Sequence, residues 1–432
     1  MGLEVFERGT LPRWARVRQH LHDAAIGDVA AAVAGEFARP AVAAAIAPGA
    51  RVALTAGSRG IDRIELVLAA AAREVRRLGG EPFVVPAMGS HGGATAAGQL
   101  ALLAEYGITE ASVGCPIRAS METVLLGQAP SPAASPDQPV PVWFDRIAYE
   151  QADVVVPVGR VKPHTDFHGP TESGLLKMIA IGLGKQKGAD TFHSRGFATF
   201  HELIPAVART TLALVNIPFG LALIEDGYGR LAHVEAVPAA RMCEREQELL
   251  LLAREWMPSL PGERIDVLII DAIGKDISGI GADTNVINRY YSGPLPFKPE
   301  INRIVVRDLT PATEGNATGM GLVDIVLRRL ADKIDFEQTY MNCLTAKTPQ
   351  GARMPLAAAN DRQALLIALV CCLNLEAEQA RIARIPDTKH LEELWASEPL
   401  LPELLATGRV ELLGAPEPIT FGDDGMFVES SW

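Results

Sequence analysis

The stretch Glu81-Pro-Phe-Val-Val-Pro-Ala-Met-Gly-Ser-His-Gly-Gly-Ala-Thr95 passes from a short apolar run straight into a glycine-rich loop. Before it, Arg51-Val-Ala-Leu-Thr55 reads as a buried strand and Ile61 to Leu78 as an amphipathic helix, with Ile64, Leu66, Val67 and Leu68 near helical spacing. After it, Ala96 to Tyr106 resumes a helical pattern that Gly107 ends. This strand, loop, helix alternation implies a parallel α/β sheet with its loops at the carboxyl ends of the strands.

The same pattern recurs further on. Ala152-Asp-Val-Val-Val-Pro-Val-Gly159 reads as one buried strand delivering Arg160 to His164 into a loop, and Gly220 to Asp226 as another. The segment 129–141 holds too many prolines for regular structure and reads as an exposed excursion. A long Glu- and Leu-rich helix, Ala239 to Trp256, gives way to a turn-rich break at Pro258 to Arg264. A second α/β unit then begins with Ile265 to Asp271, followed by Ile304 to Arg307 and a helix over Asp361 to Leu375. We therefore expect two α/β domains, residues 1–262 and 263–432, with the active site in the cleft between them.

With 432 residues the chain exceeds what one core usually serves. Its formal net charge of −12 argues against nucleic acid or an anionic membrane as partner, because phosphate recognition needs a basic face. Five scattered cysteines without a Cys-x-x-Cys pair fit a reducing cytoplasm. The start of the chain lacks a signal-peptide pattern, and the apolar run 364–375 is too short to span a bilayer. A small-molecule substrate is expected.

Within residues 161–196 the chain presents His164, His168, Lys177, Lys185, Lys187 and His193, a density of titratable groups that tends to collect in clefts. His91 sits among small residues that let backbone or ligand approach closely, although a histidine there could instead cap the next helix. Arg59, in Ser58-Arg59-Gly60 at the end of the first strand, is placed to grip a carboxylate or phosphate, or to make a surface ion pair. His20, His22 and His201 read as ordinary surface or helix residues.

Taken in order, Gly89-Ser90-His91 through Thr95, Pro163-His164, and Lys177 with His193 sixteen residues later resemble the nickel-dependent lactate racemase family, over most of the chain. The resemblance implies a nickel-pincer nucleotide, a pyridinium mononucleotide bearing a thioamide and a thiocarboxylate, tethered to Lys177. It implies His193 as the protein's nickel ligand, in keeping with an imidazole donor to square-planar Ni(II). His91 and His164 would be the acid/base pair, Arg59 would orient the substrate carboxylate, and Ser58 would contact the cofactor. The implied reaction inverts a 2-hydroxy acid by hydride removal while a histidine manages the hydroxyl proton. Enzymes that synthesise the cofactor would be needed for loading.

The chain also departs from that family. The usual Asp-x-Thr-Arg loop is Ala56-Gly57-Ser58-Arg59, and the substrate-pocket Tyr-Gln pair and lysine fall on Ile280, Gly281 and Thr284. The expected substrate is therefore not lactate but a longer or more hydroxylated acid, a sugar acid among the candidates. Lys275, Asp276, Asn285 and Arg289 could rebuild a pocket, and Asn342 and Thr345 could add a polar rim, or all could be solvent-facing residues. His168 competes with His164, and Lys185 and Lys187 either meet the cofactor phosphate or line a solvated loop. Two further readings stand beside the isomerase: a zinc hydrolase built on the histidines, and a non-catalytic module that binds a sugar acid.

Overall fold

The computed structural model describes residues 10–131 and 138–428. It divides into two compact units, His22–Met257 and a second formed by Met1–Leu21 with Pro258–Trp432. The expected boundary near 262 thus lies close to the break after Met257, but the expectation of a continuous first unit from residue 1 does not hold. Strand β1 (Arg13–Gln19) pairs antiparallel with strands near the carboxyl terminus and so belongs to the second unit.

In the unit His22–Met257, β2 (Arg51–Ala56) lies between β3 (Glu81–Pro86) and a third parallel strand, β6 (Val154–Val156). All three are apolar runs because both faces of a parallel sheet are covered. Helix α1 (Val29–Phe37) and α2 (Ile64–Arg77) pack together, α2 burying Ile64, Val67, Leu68, Ala71 and Val75. Glu65 in its first turn and Arg76 and Arg77 in its last complement the helix dipole.

The single strand expected over 152–159 is two. Pro157 has no N–H to donate, so the ladder breaks there, and β7 (Val158–Arg160) joins β8 (Phe219–Glu225) and β9 (Leu231–Pro238) in a separate sheet. The Thr55 side chain stitches the break, its Oγ accepting from the Val158 N–H at 2.9 Å. The expected proline-rich excursion falls at the turn of a hairpin, β4 (Thr123–Ala129) with β5 (Val140–Asp145). Residues 132–137 lie outside the described residues. Four helices matter for the site or its support: α3 (Ala96–Glu105), α4 (Lys185–His193), α5 (Phe200–Leu214) and α6 (Met242–Trp256).

The second unit holds a nine-stranded sheet. Its parallel centre consists of β10 (Arg264–Ile273), β11 (Glu300–Leu309), β12 (Ile325–Leu327), β13 (Leu356–Ala358) and β14 (Ile382–Ile385). Beyond β14 the sheet turns antiparallel through β15 (Glu393–Ser397), β1 and β16 (Val410–Leu412). Helix α7 (Phe336–Thr345) and α8 (Asp361–Val370) belong to this unit, and α8 stops five residues short of the expected Leu375. Among the described residues no helix is long and apolar enough to cross a membrane.

Candidate active site

Parallel strands point their carboxyl ends the same way, and three loops there carry the expected residues: Ser58 and Arg59 after β2, His91 after β3, His164 after β7. The loop after β3 folds on itself through Gly89, Gly92 and Gly93, all at positive φ. It is also too tight for side chains, since a Cβ on Gly98 would sit 1.9 Å from the Gly92 carbonyl oxygen. The helix-capping alternative for His91 is removed, because Thr95 caps α3 by accepting from the Gly98 N–H at 3.0 Å. The His91 ring is instead turned inward onto its own loop, with Nδ1 2.8 Å from the Met88 carbonyl.

His164 is held from behind. The buried Glu172 carboxylate accepts the His164 backbone N–H at 2.6 Å and the Gly169 N–H at 3.0 Å, and pairs with Arg254. Its ring stacks on Phe167 at 4.3 Å between centroids, and Nδ1 accepts the Asp166 N–H at 3.0 Å. His168, the competitor, faces Glu172 at 3.4 Å. That contact makes it a partner of the loop's anchor.

Lys177 ends the helical turn Leu175–Lys177, which runs into a π-helical segment, Met178–Gly182. Glu246 on α6 caps this turn from inside the core, accepting the Leu176 N–H at 2.9 Å. Gly174 leaves it room, for a Cβ there would lie 2.4 Å from the carboxylate. Burial pushes the Glu246 pKa up to about 7, with the N–H groups of Leu176 and Leu175 opposing it. His193, at the end of α4, packs edge-on to Phe197 at 5.4 Å and against Phe200 at 5.7 Å. Phe200 touches both Phe167 and Phe197, so one aromatic cluster carries both His164 and His193.

These groups act on one another electrostatically, which brings Arg59, His91, His164, Lys177 and His193 into one place. Desolvation lowers the His91 pKa although the residue as a whole is exposed, and the positive charges of Arg59, Lys177 and His193 add to that. Burial takes His164 well below the ordinary imidazole value, reinforced by Lys177, Lys162 and Arg59. Lys177 is pushed down to about 7 by burial first and by Arg59 next. Arg59 is exposed and makes no ion pair among the described residues. The site is a concentration of cationic groups on a chain of net charge −12 and suits an anionic ligand. Ser58 lies in the same loop, its carbonyl accepting the Tyr106 hydroxyl at 3.0 Å.

Two expectations need correction. Lys185 is neither solvated nor turned toward a ligand: it is fully buried, 2.9 Å from the buried Asp145 carboxylate, and donates to the Pro86 carbonyl. It also reaches Gln99, whose amide donates to the carbonyls of Gly89 at 3.1 Å and His91 at 3.3 Å, so Lys185 braces the His91 loop. Lys187 lies over the Trp143 ring at 4.7 Å. In the second unit, Ile280 and Thr284 are core residues, and Gly281 adopts a positive φ. Arg289 is spent on Asp324 and on the carbonyls of Leu322, Ile301 and Asn302. Lys275 pairs with Asn342, Asp276 with Thr310, and Asn285 with Asp283. Thr345 bonds back to its own helix at the Met341 carbonyl, 2.8 Å away.

The residues that sequence reasoning missed are supports: Glu172, Glu246, Gln99, Asp145 and the phenylalanine cluster. Each is a side chain of ordinary type whose importance lies in what burial does to it. Only the spacing of Phe192, Phe197 and Phe200 around His193 carried a readable signal.

No family model and no curated protein matches the chain. Solved structures similar to it include the following two. A crystal structure of a protein from Thermotoga maritima superposes with a TM-score of 0.52 at 12% identity, over 86% of this chain and 99% of that one. The lactate racemase apoprotein from Thermoanaerobacterium thermosaccharolyticum superposes with a TM-score of 0.50 at 13% identity, over 88% of this chain and 93% of that one. The chain has a lactate-racemase-like α/β fold.

Proposed function

We propose that the chain is an isomerase that racemises or epimerises a 2-hydroxy acid, a sugar acid among the candidates, with a nickel-pincer nucleotide as cofactor. The observation that carries this reading is the gathering in one unit of an arginine with no acidic partner among the described residues, two imidazoles of lowered pKa, a part-buried amine and a third imidazole around one aromatic cluster. The donor set fits the cofactor: Lys177 would hold it covalently, His193 would supply a nitrogen ligand to nickel, and Ser58 would contact it. When bound, that group would supply a reversible acceptor for hydride.

The chain's own residues would then do the following. Arg59 would hold the substrate carboxylate in a forked contact. A carbonyl only accepts, so the His91 contact with Met88 places a proton on Nδ1 and leaves the Nε2 lone pair for a substrate hydroxyl proton. His164 has its Nδ1 lone pair occupied by the Asp166 N–H, which places its proton on Nε2 as a donor to a substrate oxygen. The lowered pKa values keep both rings neutral near pH 7, so that in these tautomers His91 would accept a proton and His164 would donate a hydrogen bond. A zinc hydrolase has less support, since among the described residues no three His, Cys, Asp or Glu side chains form a metal-holding group.

Described cysteines are all unpaired, in keeping with the reducing cytoplasm we assign. Cofactor-synthesis enzymes would be the partners for loading. Protein produced together with those enzymes should carry nickel, and its tryptic peptide containing Lys177 should gain the cofactor mass. Nickel-free protein with an unmodified Lys177 peptide after such co-production would overturn the reading.

A further inference from the structure

The unit His22–Met257 holds two lysines in opposite settings, Lys185 fully buried and Lys177 part-buried. Lys185 is neutralised by Asp145 at 2.9 Å and fully engaged, as a structural lysine should be. Lys177 has no carboxylate within ion-pair distance among the described residues; its Nζ lies 3.5 Å from the Ser173 hydroxyl and 5.7 Å from the centre of the Phe167 ring. The nearby acids make their close contacts with other groups, Glu172 with Arg254, His168 and two backbone N–H groups, Asp166 with Thr165 and, at 3.6 Å, His164, and they act on Lys177 only from a distance. Burying an ammonium without a partner costs free energy that the fold could avoid with any apolar side chain. A desolvated lysine beside another cation is the arrangement that makes an amine nucleophilic toward carbonyl compounds.

We propose that, in the protein carrying no cofactor, Lys177 forms an imine with small 2-oxo acids, Arg59 holding their carboxylate. The Nζ lone pair attacks the C2 carbonyl carbon, forming the C–N bond, while the carbonyl oxygen takes up one of the two amine protons and becomes a hydroxyl. His164 then carries the proton shed by nitrogen to the departing hydroxyl, the C–O bond breaks and water leaves. Amine and ketone thus give imine and water, with no oxidant or other reactant. The burial that depresses the Lys177 pKa to about 7 keeps much of the amine unprotonated at neutral pH, in support of the geometry. The same acid would also block the atom on which a cofactor would be loaded, so 2-oxo acids would compete with loading. The imine itself does not depend on the isomerase reading.

The test uses the full chain made without cofactor-synthesis enzymes, incubated with pyruvate and then sodium borohydride, with peptide mapping by mass spectrometry. One reduced pyruvate adduct is expected on Lys177 and none on Lys185. Acetone, which lacks the carboxylate, should label Lys177 at least about tenfold less, and Arg59→Gln should bring pyruvate down to the acetone level. The proposal is overturned if Lys177 stays unmodified in the native chain, if acetone labels it as well as pyruvate, or if label spreads over exposed lysines alone. Mapping the unaltered chain needs no variant to fold. A chain that forms this adduct yet never takes up nickel sinks the isomerase and spares the imine, and the reverse pattern does the opposite.

Discussion

Replacing Lys177 by methionine should make the protein more stable at neutral pH. In the folded chain the amine titrates at about 7 against an ordinary 10.5. Between those values the unfolded chain holds a proton that the folded chain lacks, so proton uptake favours unfolding. The handicap is absent above the ordinary value, grows as pH falls through this window, and is complete near and below pH 7. At about 1.4 kcal/mol for each pH unit the ceiling is ~5 kcal/mol, and relaxation with residual solvent contact leaves roughly 2–3 kcal/mol. Methionine keeps the length of the stem and removes the charge. Urea unfolding followed by tryptophan fluorescence reads this unit through Trp143 and Trp256, both within His22–Met257. At about pH 6.5 the variant should unfold at higher urea, and by about pH 9.5 the difference should shrink to under ~1.5 kcal/mol. A variant no more stable at the lower pH, or a gain that does not shrink as pH rises, would refute the argument that this lysine is buried at a cost.

Lys185→Met should have the opposite sign and cost about 3–5 kcal/mol, because it strands the buried Asp145 carboxylate; the double variant Lys185→Met with Asp145→Leu should recover much of that, as read from denaturation midpoints. Alanine at His91 or His164 should lower turnover of the loaded enzyme by about 100-fold or more with nickel retained, whereas alanine at His193 should reduce nickel retention in metal analysis. Because both acid/base imidazoles titrate below the usual value, turnover should hold as pH falls to about 6.5 and decline only below it; a decline centred above that would contradict the buried rings. Substrate deuterated at C2 should keep its label through inversion, and wash-out into solvent water would point to proton abstraction instead.

Strands buried on both faces announce themselves as apolar runs, so β2, β3, β8 and β10 were legible, as were the loops that follow them. Pro157 was legible too, yet its effect on the ladder shows only when the partner strands are in place. β1 reads locally as alternating arginines; its meaning lies with Glu393 and Glu411, which Arg18 meets at 2.7 and 3.4 Å. In the site, loop position and residue type picked out the histidines and Lys177. They could not separate Lys177 from Lys185, because a lysine in a glycine-rich run looks alike whether it is paired with Asp145 or left alone. The anchors Glu172 and Glu246 were hidden for a related reason: a lone glutamate in sequence is read as a solvated charge until its environment is known.

The pairing of β1 with β15 and β16 orders events during synthesis. Arg13 to Gln19 leave the ribosome well over three hundred residues ahead of their sheet neighbours at 393–397 and 410–412. At roughly 5–20 residues per second the strand waits tens of seconds, with Trp14 and Val17 uncovered, while His22–Met257 can already close. A nascent chain halted before residue 393 would therefore carry a sticky, unmatched ribbon at its front end, a ready target for chaperones or for a like ribbon on another stalled chain.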